Sequence, residues 1–184
     1  RQRQMCIRDR PLTKIRLNQF SRISLDQYTT LVMVSGSYNQ LRDSDIEKIK
    51  DWVGKGNTLI TIARGSSWAI NKKIVDETLV KGKKDTVFSR KNYVDARENI
   101  GRERIGGVIL SVDLDLTHPL AFGYNDLSIP VYKNNNVFIN KTSDHYSSVA
   151  IYSEDAHIDG YISKNNLKNF IPGSASLLLS LIHI

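Results

Sequence analysis

The stretch YTTLVMVSGSYNQLRDSDIEKIKDWVGKGNTLITIA, residues 28–63, decides the fold class. Its first apolar run, residues 31–34, predicts a strand that is buried on both faces of a parallel sheet. A second apolar run at residues 57–63 predicts the next strand. Four apolar residues between the runs recur at helical spacing and predict one buried helix face: Ile46, Ile49, Trp52 and Val53. Strand, helix and strand within about 35 residues predict a right-handed βαβ crossover.

The limits of this helix also have sequence signals. Ser44 followed three residues later by Glu47 is a capping-box pattern, which predicts the start of the helix at Ser44. Gly54 and Gly56 predict its end, because glycine readily adopts the left-handed conformation that closes a helix.

Downstream segments predict further elements of the same kind. Residues 81–107 are polar and highly charged and predict a solvent-exposed connecting segment. A short helix is expected at residues 163–170, capped by Ser163. Three apolar segments predict strands, the second of them as two short strands across an Asn-rich turn: residues 108–116, 127–141 and 147–155. The whole predicts one α/β domain with an open sheet and flanking helices, flavodoxin-like or amidotransferase-like.

The two ends of the chain have a different character. RQRQMCIRDR at residues 1–10 and SLLLSLIHI at residues 176–184 resemble translated sequencing-adapter read-through. We therefore expect non-native tails at residues 1–10 and 177–184 around a domain of residues 11–176.

Composition limits the classes of partner. The first ten residues carry four Arg and one Asp, or +3 of the formal +7 charge, so we expect no nucleic-acid partner. Cys6 is the only cysteine and lies in the first tail, which leaves no disulfide framework and no cysteine zinc site. No apolar run reaches the ~18 residues that a membrane span requires.

Residues 65–69, GSSWA, follow a predicted strand and approach the G-x-S-x-G nucleophile elbow. Ser67 is therefore a candidate nucleophile, which needs a histidine base and an acid that orients it. Three histidines of the expected domain at residues 11–176 follow it: His118, His145 and His157. His157 with Asp126 or Asp144 fits the chain order of α/β hydrolases. The alternative is that Ser66 and Ser67 cap the next helix.

A second candidate cluster lies at the end of a predicted strand: Asp113, Asp115, His118 and Pro119. Asp113 and Asp115 would share one face of an extended strand, where they could bind a cation or a ligand. Turn-forming hydrogen bonds explain the same residues equally well, and we predict that all four are structural. No paired-histidine motif is present, so no metal ligand is assigned.

Several longer segments resemble one known module. They are NYVDARENIGRERIGG (92–107), RIGGVILSVDLDLTHPLAFGY (104–124) and DGYISKNNLKN (159–169), with weaker agreement in SGSYNQL (35–41) and DWVGKGNTLI (51–60). They resemble the class I glutamine amidotransferase-like domain that follows the catalytic domain in zinc carboxypeptidases of Bacteroidetes-type bacteria. The resemblance covers nearly all of residues 11–176, and DLDLTHPLAFGY (113–124) is its most specific part.

The resemblance implies a class I amidotransferase-like open sheet that is incomplete at its C-terminus. It also implies a secreted or periplasmic parent, a zinc metallocarboxypeptidase that hydrolyses the C-terminal bond of peptides. The zinc and the catalytic residues would belong to an upstream domain, which would be the partner of this segment. Peptide or cell-envelope material would be a further ligand.

Active amidotransferases of this fold use a cysteine at the elbow, where this chain has Ser66 and Ser67. We therefore expect a non-catalytic accessory domain, a fragment of the longer enzyme, with no cofactor of its own. Two alternatives remain open. One is an independent serine-dependent α/β hydrolase or amidotransferase-like enzyme that uses Ser67. The other is a ligand- or glycan-binding module that uses the loop around Asp115 and His118.

Overall fold

The structure is a computed structural model that describes residues 12–81, 92–95, 104–144 and 146–180. The chain divides into two compact units, one running to Trp68 and the other beginning at Ala69. Helices and sheets occur together, which confirms the predicted mixed α/β class. Each unit contains its own sheet.

The first unit contains a 3-10 helix at Leu17–Arg22 followed by a parallel βαβ arrangement. The elements of this arrangement are strand β1 (Thr30–Met33), helix α1 (Asp43–Gly54) and strand β2 (Thr58–Thr61). Helix α2 (Arg64–Asn71) follows and crosses the boundary at Trp68. β1 and β2 pair in parallel, with Leu31 opposite Leu59 and Val32 opposite Ile60. The parallel βαβ arrangement expected from residues 28–63 is therefore confirmed. The predicted burial of the first strand on both faces is wrong, because Val32 is 47% and Val34 59% exposed.

Helix α1 is held to the preceding chain by two long side chains. The indole Nε1 of Trp52 donates to Leu25 O at 2.8 Å and to Tyr28 O at 3.2 Å. The ammonium of Lys48 donates to three carbonyls at the end of the 3-10 helix: Phe20, Ser21 and Ile23. A lysine near a helix end can donate to the last carbonyls, so the Lys48 ammonium fixes this segment onto α1.

The start of α1 differs from the sequence prediction. The helix begins at Asp43, with Arg42 in the capping position, so the predicted pairing of Ser44 with Glu47 was wrong. Asp45 performs the reciprocal half of a capping box instead, because its carboxylate accepts the Arg42 backbone N–H at 3.0 Å. A carboxylate at this position does the same work as the glutamate that the pattern requires.

The second unit contains a five-stranded antiparallel sheet. The strands are β3 (Gly107–Leu114), β4 (Ser128–Lys133), β5 (Ile139–Asn140), β6 (Ser148–Tyr161) and β7 (Ser174–Leu178), and helix α3 (Lys164–Asn169) precedes β7. Their order across the sheet is β4-β3-β6-β7-β5, and the neighbouring strands run antiparallel to one another. Short 3-10 helices occur at Tyr93–Asp95 and Pro119–Ala121.

Strand β3 separates the core from the outer face of this sheet. Its residues alternate, with Val108, Leu110 and Val112 almost fully buried and Ile109 and Asp113 exposed. The core behind it also contains residues of β6 and of the segments that flank α3: Val149, Ala150, Tyr152, Ala156 and Ile171. Phe138 and Phe170 stack nearby, with ring centroids 5.0 Å apart. One face of the sheet is therefore the hydrophobic core of the unit.

The region predicted as two short strands contains β4 and β5, but these strands do not pair with each other. β4 pairs with β3 and β5 pairs with β7. Asn135 shapes the turn between them, because its side-chain oxygen accepts the Val137 N–H at 3.0 Å. Neighbours in sequence are therefore at opposite edges of the sheet, with β4 beside β3 and β5 beside β7.

Strand β6 and helix α3 follow the prediction more closely. β6 extends six residues past the predicted end at 155, and the irregular register opposite Leu110 and Val112 marks a bulge. Ser163 caps α3 as expected, since its hydroxyl accepts the Asn166 N–H at 3.1 Å.

Strand β7 includes the first residues of the expected non-native tail at residues 177–184. Leu177 and Leu178 belong to β7 and pair with Ala150 and Ser148 of β6. Leu179 continues the ladder through its N–H to Ser147 O at 2.8 Å. The expected boundary after residue 176 therefore falls inside a strand that lies between β6 and β5.

Some predicted features lie outside the described residues. These are the expected tail at residues 1–10, the histidine at position 145 and the last four residues, 181–184. The polar segment 81–107 is described at residues 81, 92–95 and 104–107 alone.

Candidate functional site

The turn from β2 to α2 is the position of the predicted nucleophile elbow. Ala63 adopts a left-handed backbone conformation, with φ of 52°, directly before α2. Residues with a side chain rarely adopt this conformation, so Ala63 is the strained residue of the turn. The Ile62 N–H donates to Met33 O at 2.9 Å, and the turn therefore closes against the end of β1.

Ser67 lies one turn further on, inside α2. Its N–H donates to Ala63 O at 3.2 Å, as the fifth residue of a helical turn does. Ser66 and Ser67 do not cap α2, because the helix already begins at Arg64. The Ser66 hydroxyl accepts the Thr61 hydroxyl at 3.0 Å, which ties α2 to β2. A nucleophile elbow places its serine on the strained turn, whereas that position here carries the methyl group of Ala63.

The described histidines make hydrogen bonds to residues two or three positions away. His118 is 8% exposed, and its Nδ1 accepts the Leu120 N–H at 3.1 Å. The Nε2 of His157 lies 2.7 Å from Gly160 O. Asp144, a candidate acid, accepts from the Tyr146 N–H and from the Ser147 hydroxyl. These are short-range bonds of the second unit, and none of the described hydrogen bonds connects a histidine to a serine hydroxyl.

Asp115, His118 and Pro119 lie together in the turn that follows β3. The Asp115 carboxylate accepts the Thr117 hydroxyl at 2.6 Å and the Thr117 N–H at 2.9 Å. These two bonds hold the pKa of Asp115 below its ordinary value. His118 N–H donates to Asp115 O, and Pro119 begins the following 3-10 helix. The arrangement is that of an Asx turn followed by a capped helical turn.

Asp113 is separate from that turn. It lies on β3 at an exposed position, and its carboxylate accepts the Ser153 hydroxyl of β6 at 2.6 Å. The prediction that Asp113 and Asp115 share one face of a strand was wrong, because β3 ends at Leu114. In the described part of the chain, no group of three or more His, Cys, Asp or Glu side chains is arranged to hold a metal ion.

A surface groove of about 410 Å³ lies beside α1 in the first unit. Its lining combines carboxylates, ammonium groups and hydroxyls: Ser24, Asp26, Glu47, Asp51 and Lys55. Lys55 Nζ is 3.5 Å from Asp26 Oδ1, and the Lys48 ammonium is already bonded to carbonyls. The groove is open to solvent and its lining mixes both signs of charge, so no ligand is assigned to it.

Lys133, at the end of β4, is a buried cation that the sequence reasoning missed. It is 6% exposed, and its ammonium donates to Val137 O at 2.6 Å. The rings of Phe138 and Tyr152 lie 4.7 Å and 5.7 Å from the same nitrogen. Burial lowers the pKa of Lys133 to about 8. The available sequence signal was the alternation of Ile129 and Val131, which places residue 133 on the same face of an extended strand.

Comparisons with protein-family models, with curated proteins and with solved structures found no match to this chain. Among the residues that the structure describes, no helix has the length and apolar character needed to cross a membrane.

Proposed function

We propose that this chain is a non-catalytic accessory domain of an exported zinc metallocarboxypeptidase. The proposal rests on the segments within residues 92–124 and 159–169 that resemble such a domain. In this proposal the fold is a divergent class I amidotransferase-like, or flavodoxin-like, α/β arrangement, whose β1-α1-β2-α2 segment corresponds to the start of the open sheet. The domain would stabilise or position an upstream catalytic domain of the same polypeptide.

One structural observation supports the absence of chemistry at the elbow. The strained residue between β2 and α2 is Ala63, whose side chain is a methyl group, and Ser67 lies inside the helix. A serine nucleophile requires a base within hydrogen-bond reach, and the described hydrogen bonds of His118 and His157 join them to residues two or three positions away. The described residues also supply no donor set for zinc, so no step of peptide hydrolysis is assigned to them.

The intact gene tests the proposed architecture. An upstream reading frame that encodes an H-x-x-E motif and a later histidine, the ligand set of a zinc carboxypeptidase, is the expected result. A purified two-domain protein should then hydrolyse C-terminal residues from peptides, and this activity should survive Ser67→Ala. An upstream frame without a zinc ligand set would overturn the proposal.

The serine-hydrolase alternative has its own test on the present chain. A fluorophosphonate probe reacts with activated serines, and we expect no labelling at Ser67. Ser66→Ala and Ser67→Ala are matched variants, because both hydroxyls lie in the first turns of α2. Labelling that disappears in Ser67→Ala and persists in Ser66→Ala would favour the hydrolase and contradict the accessory role.

A further inference from the structure

The outer face of the five-stranded sheet carries a row of polar and aromatic side chains across three strands. Ser111 Oγ of β3 lies 2.6 Å from Ser128 Oγ of β4. On the other side, the Ser153 hydroxyl of β6 lies 2.6 Å from Asp113 Oδ1 and 3.3 Å from Ser111 Oγ. The three hydroxyls and one carboxylate form a continuous hydrogen-bonding cluster from β4 to β6, hereafter the serine cluster.

Two exposed tyrosine rings lie on the same face. Tyr132 of β4 is opposite Ile109, and Tyr161 of β6 is opposite Gly107, so both project on the outer side of β3. A β-carbon at Gly107 would be 2.8 Å from the Tyr132 hydroxyl and 3.2 Å from its ring, so this ring lies over the glycine. Tyr132 is nonetheless 67% exposed and Tyr161 59% exposed.

The tyrosines and the serine cluster occupy opposite ends of one strip. Gly107 and Asp113 are six residues apart on β3, which is about 20 Å along an extended strand. Ile109, 37% exposed, lies between them. This strip, from Gly107 to Asp113, therefore has tyrosine rings at one end and hydroxyl donors and acceptors at the other. Its length matches that of a short linear polymer.

The charge of these strands restricts what the strip can bind. β3, β4 and β6 carry four carboxylates, Asp113, Glu154, Asp155 and Asp159, and one lysine, Lys133, which is buried on the core side. An anionic polymer would be repelled by this surface, because nucleic acids and acidic polysaccharides bind through exposed Lys and Arg.

A peptide strand is also disfavoured at the neighbouring sheet edge. The Leu114 N–H donates to Leu127 O at 2.7 Å, so residues 127, 129 and 131 bond to β3 and the alternate residues face the free edge. Pro130 is one of these alternate residues and has no N–H to donate. β4 therefore lacks a donor at the centre of the edge to which an extended peptide would add.

We propose that the outer face of β4, β3 and β6 binds a neutral, linear oligosaccharide. The rings of Tyr132 and Tyr161 present apolar faces against which sugar rings stack, and their hydroxyls remain available to water or ligand. Ser111, Ser128 and Asp113 exchange hydrogen bonds with sugar hydroxyls, which are both donors and acceptors. This inference does not depend on the proposed parent enzyme.

Calorimetric titration of the full chain with neutral hexasaccharides of β-glucan, xylan and mannan tests the proposal. We expect saturable binding of at least one of them. Tyr161→Ala should weaken it by about tenfold, since an aromatic stacking contact contributes roughly that much. Tyr132→Ala should have a similar effect, and Ser111→Ala a smaller one. Tyr146→Ala is the matched control, because Tyr146 is 82% exposed and lies outside the three strands.

The outcomes separate binding from folding and from other ligands. Tyr132→Ala uncovers Gly107 and is expected to lower the melting temperature, whereas Tyr161→Ala keeps that contact, so the second variant decides the question if the first unfolds. Absence of binding by every hexasaccharide, or binding that Tyr161→Ala leaves unchanged, would overturn the proposal. Tyrosine-dependent binding of hexalysine without binding of any sugar would also overturn it, in favour of a basic peptide.

Discussion

A β-carbon placed on Gly65 would be 2.6 Å from the carbonyl oxygen of Met33. It would also be 3.2 Å from Val34 O, so the first turn of α2 approaches the backbone at the end of β1 more closely than a side chain allows. The same Met33 oxygen accepts the Ile62 N–H. The glycine of the GSSWA stretch therefore has a packing role that is independent of any nucleophile.

Gly65→Ala should destabilise the first unit by about 1–3 kcal/mol, because a rigid backbone carbonyl cannot move aside as a flexible side chain can. Chemical denaturation followed by circular dichroism would measure the change in the free energy of unfolding. Gly36→Ala is the control in the same unit, since its nearest neighbours to a β-carbon are 3.9 Å away. An equal free energy of unfolding for the two variants would show that Gly65 of α2 does not lie in close contact with the backbone of β1.

Lys133 should make stability rise with pH in alkaline solution. Its pKa is about 8 in the folded protein against 10.5 for an ordinary lysine, so the unfolded chain binds more protons between those values. The free energy of unfolding should therefore increase by about 3 kcal/mol between pH 8 and 10.5 from this group. Lys133→Met should lose this increase, as determined by urea denaturation across the pH range.

The lysine prediction has an internal control. Lys141→Met removes an exposed ammonium and should leave the pH dependence of the free energy of unfolding as in the unmodified protein. A slope that is unchanged in Lys133→Met would mean that the Lys133 ammonium is not desolvated among Phe138 and Tyr152.

Thr117→Val should raise the pKa of Asp115. The variant removes the hydroxyl that donates to the carboxylate at 2.6 Å and leaves the N–H bond from the same residue. A carboxyl with a lowered pKa contributes to the free energy of unfolding, and this contribution is lost as the pH falls through the pKa of the folded state. Because the pKa of Asp115 should be higher in Thr117→Val, that variant should begin to lose the contribution at a higher pH. Carbon-13 NMR titration of the Asp115 carboxyl measures the shift directly, and Thr117→Ser should behave as the unmodified chain.

Removal of residues 177–184 should destabilise the second unit. The deletion takes Leu177 and Leu178 out of β7, and with them the pairing to Ala150 and Ser148 of β6. We expect a lower melting temperature and faster amide exchange along residues 148–151. Removal of residues 181–184 leaves β7 intact and serves as the control. Unchanged stability of the longer deletion would support the expectation of a non-native tail from residue 177.

Local chemistry in the sequence was enough to determine several elements. The runs at residues 31–34 and 57–63 form the parallel pair, and the apolar face of Ile46, Ile49 and Trp52 is buried in α1. Ser163 caps α3 as predicted. These features depend on side-chain periodicity and on hydrogen bonds between residues a few positions apart, which a sequence displays directly.

Tertiary structure alone decided which strands pair and that Asp113 contacts Ser153, whereas the side-chain bonds of Asp115 and His118 are local. β4 and β5 are adjacent in sequence but lie at opposite edges of one antiparallel sheet, because each finds its ladder with a distant strand. The same long-range pairing brings Ser111, Ser128 and Ser153 together, buries Lys133 and separates Asp113 from Asp115. The strain of the β2–α2 turn falls on Ala63 because closure against Met33 sets the backbone there. Such contacts join residues that are far apart in the chain, and no local pattern encodes their partners.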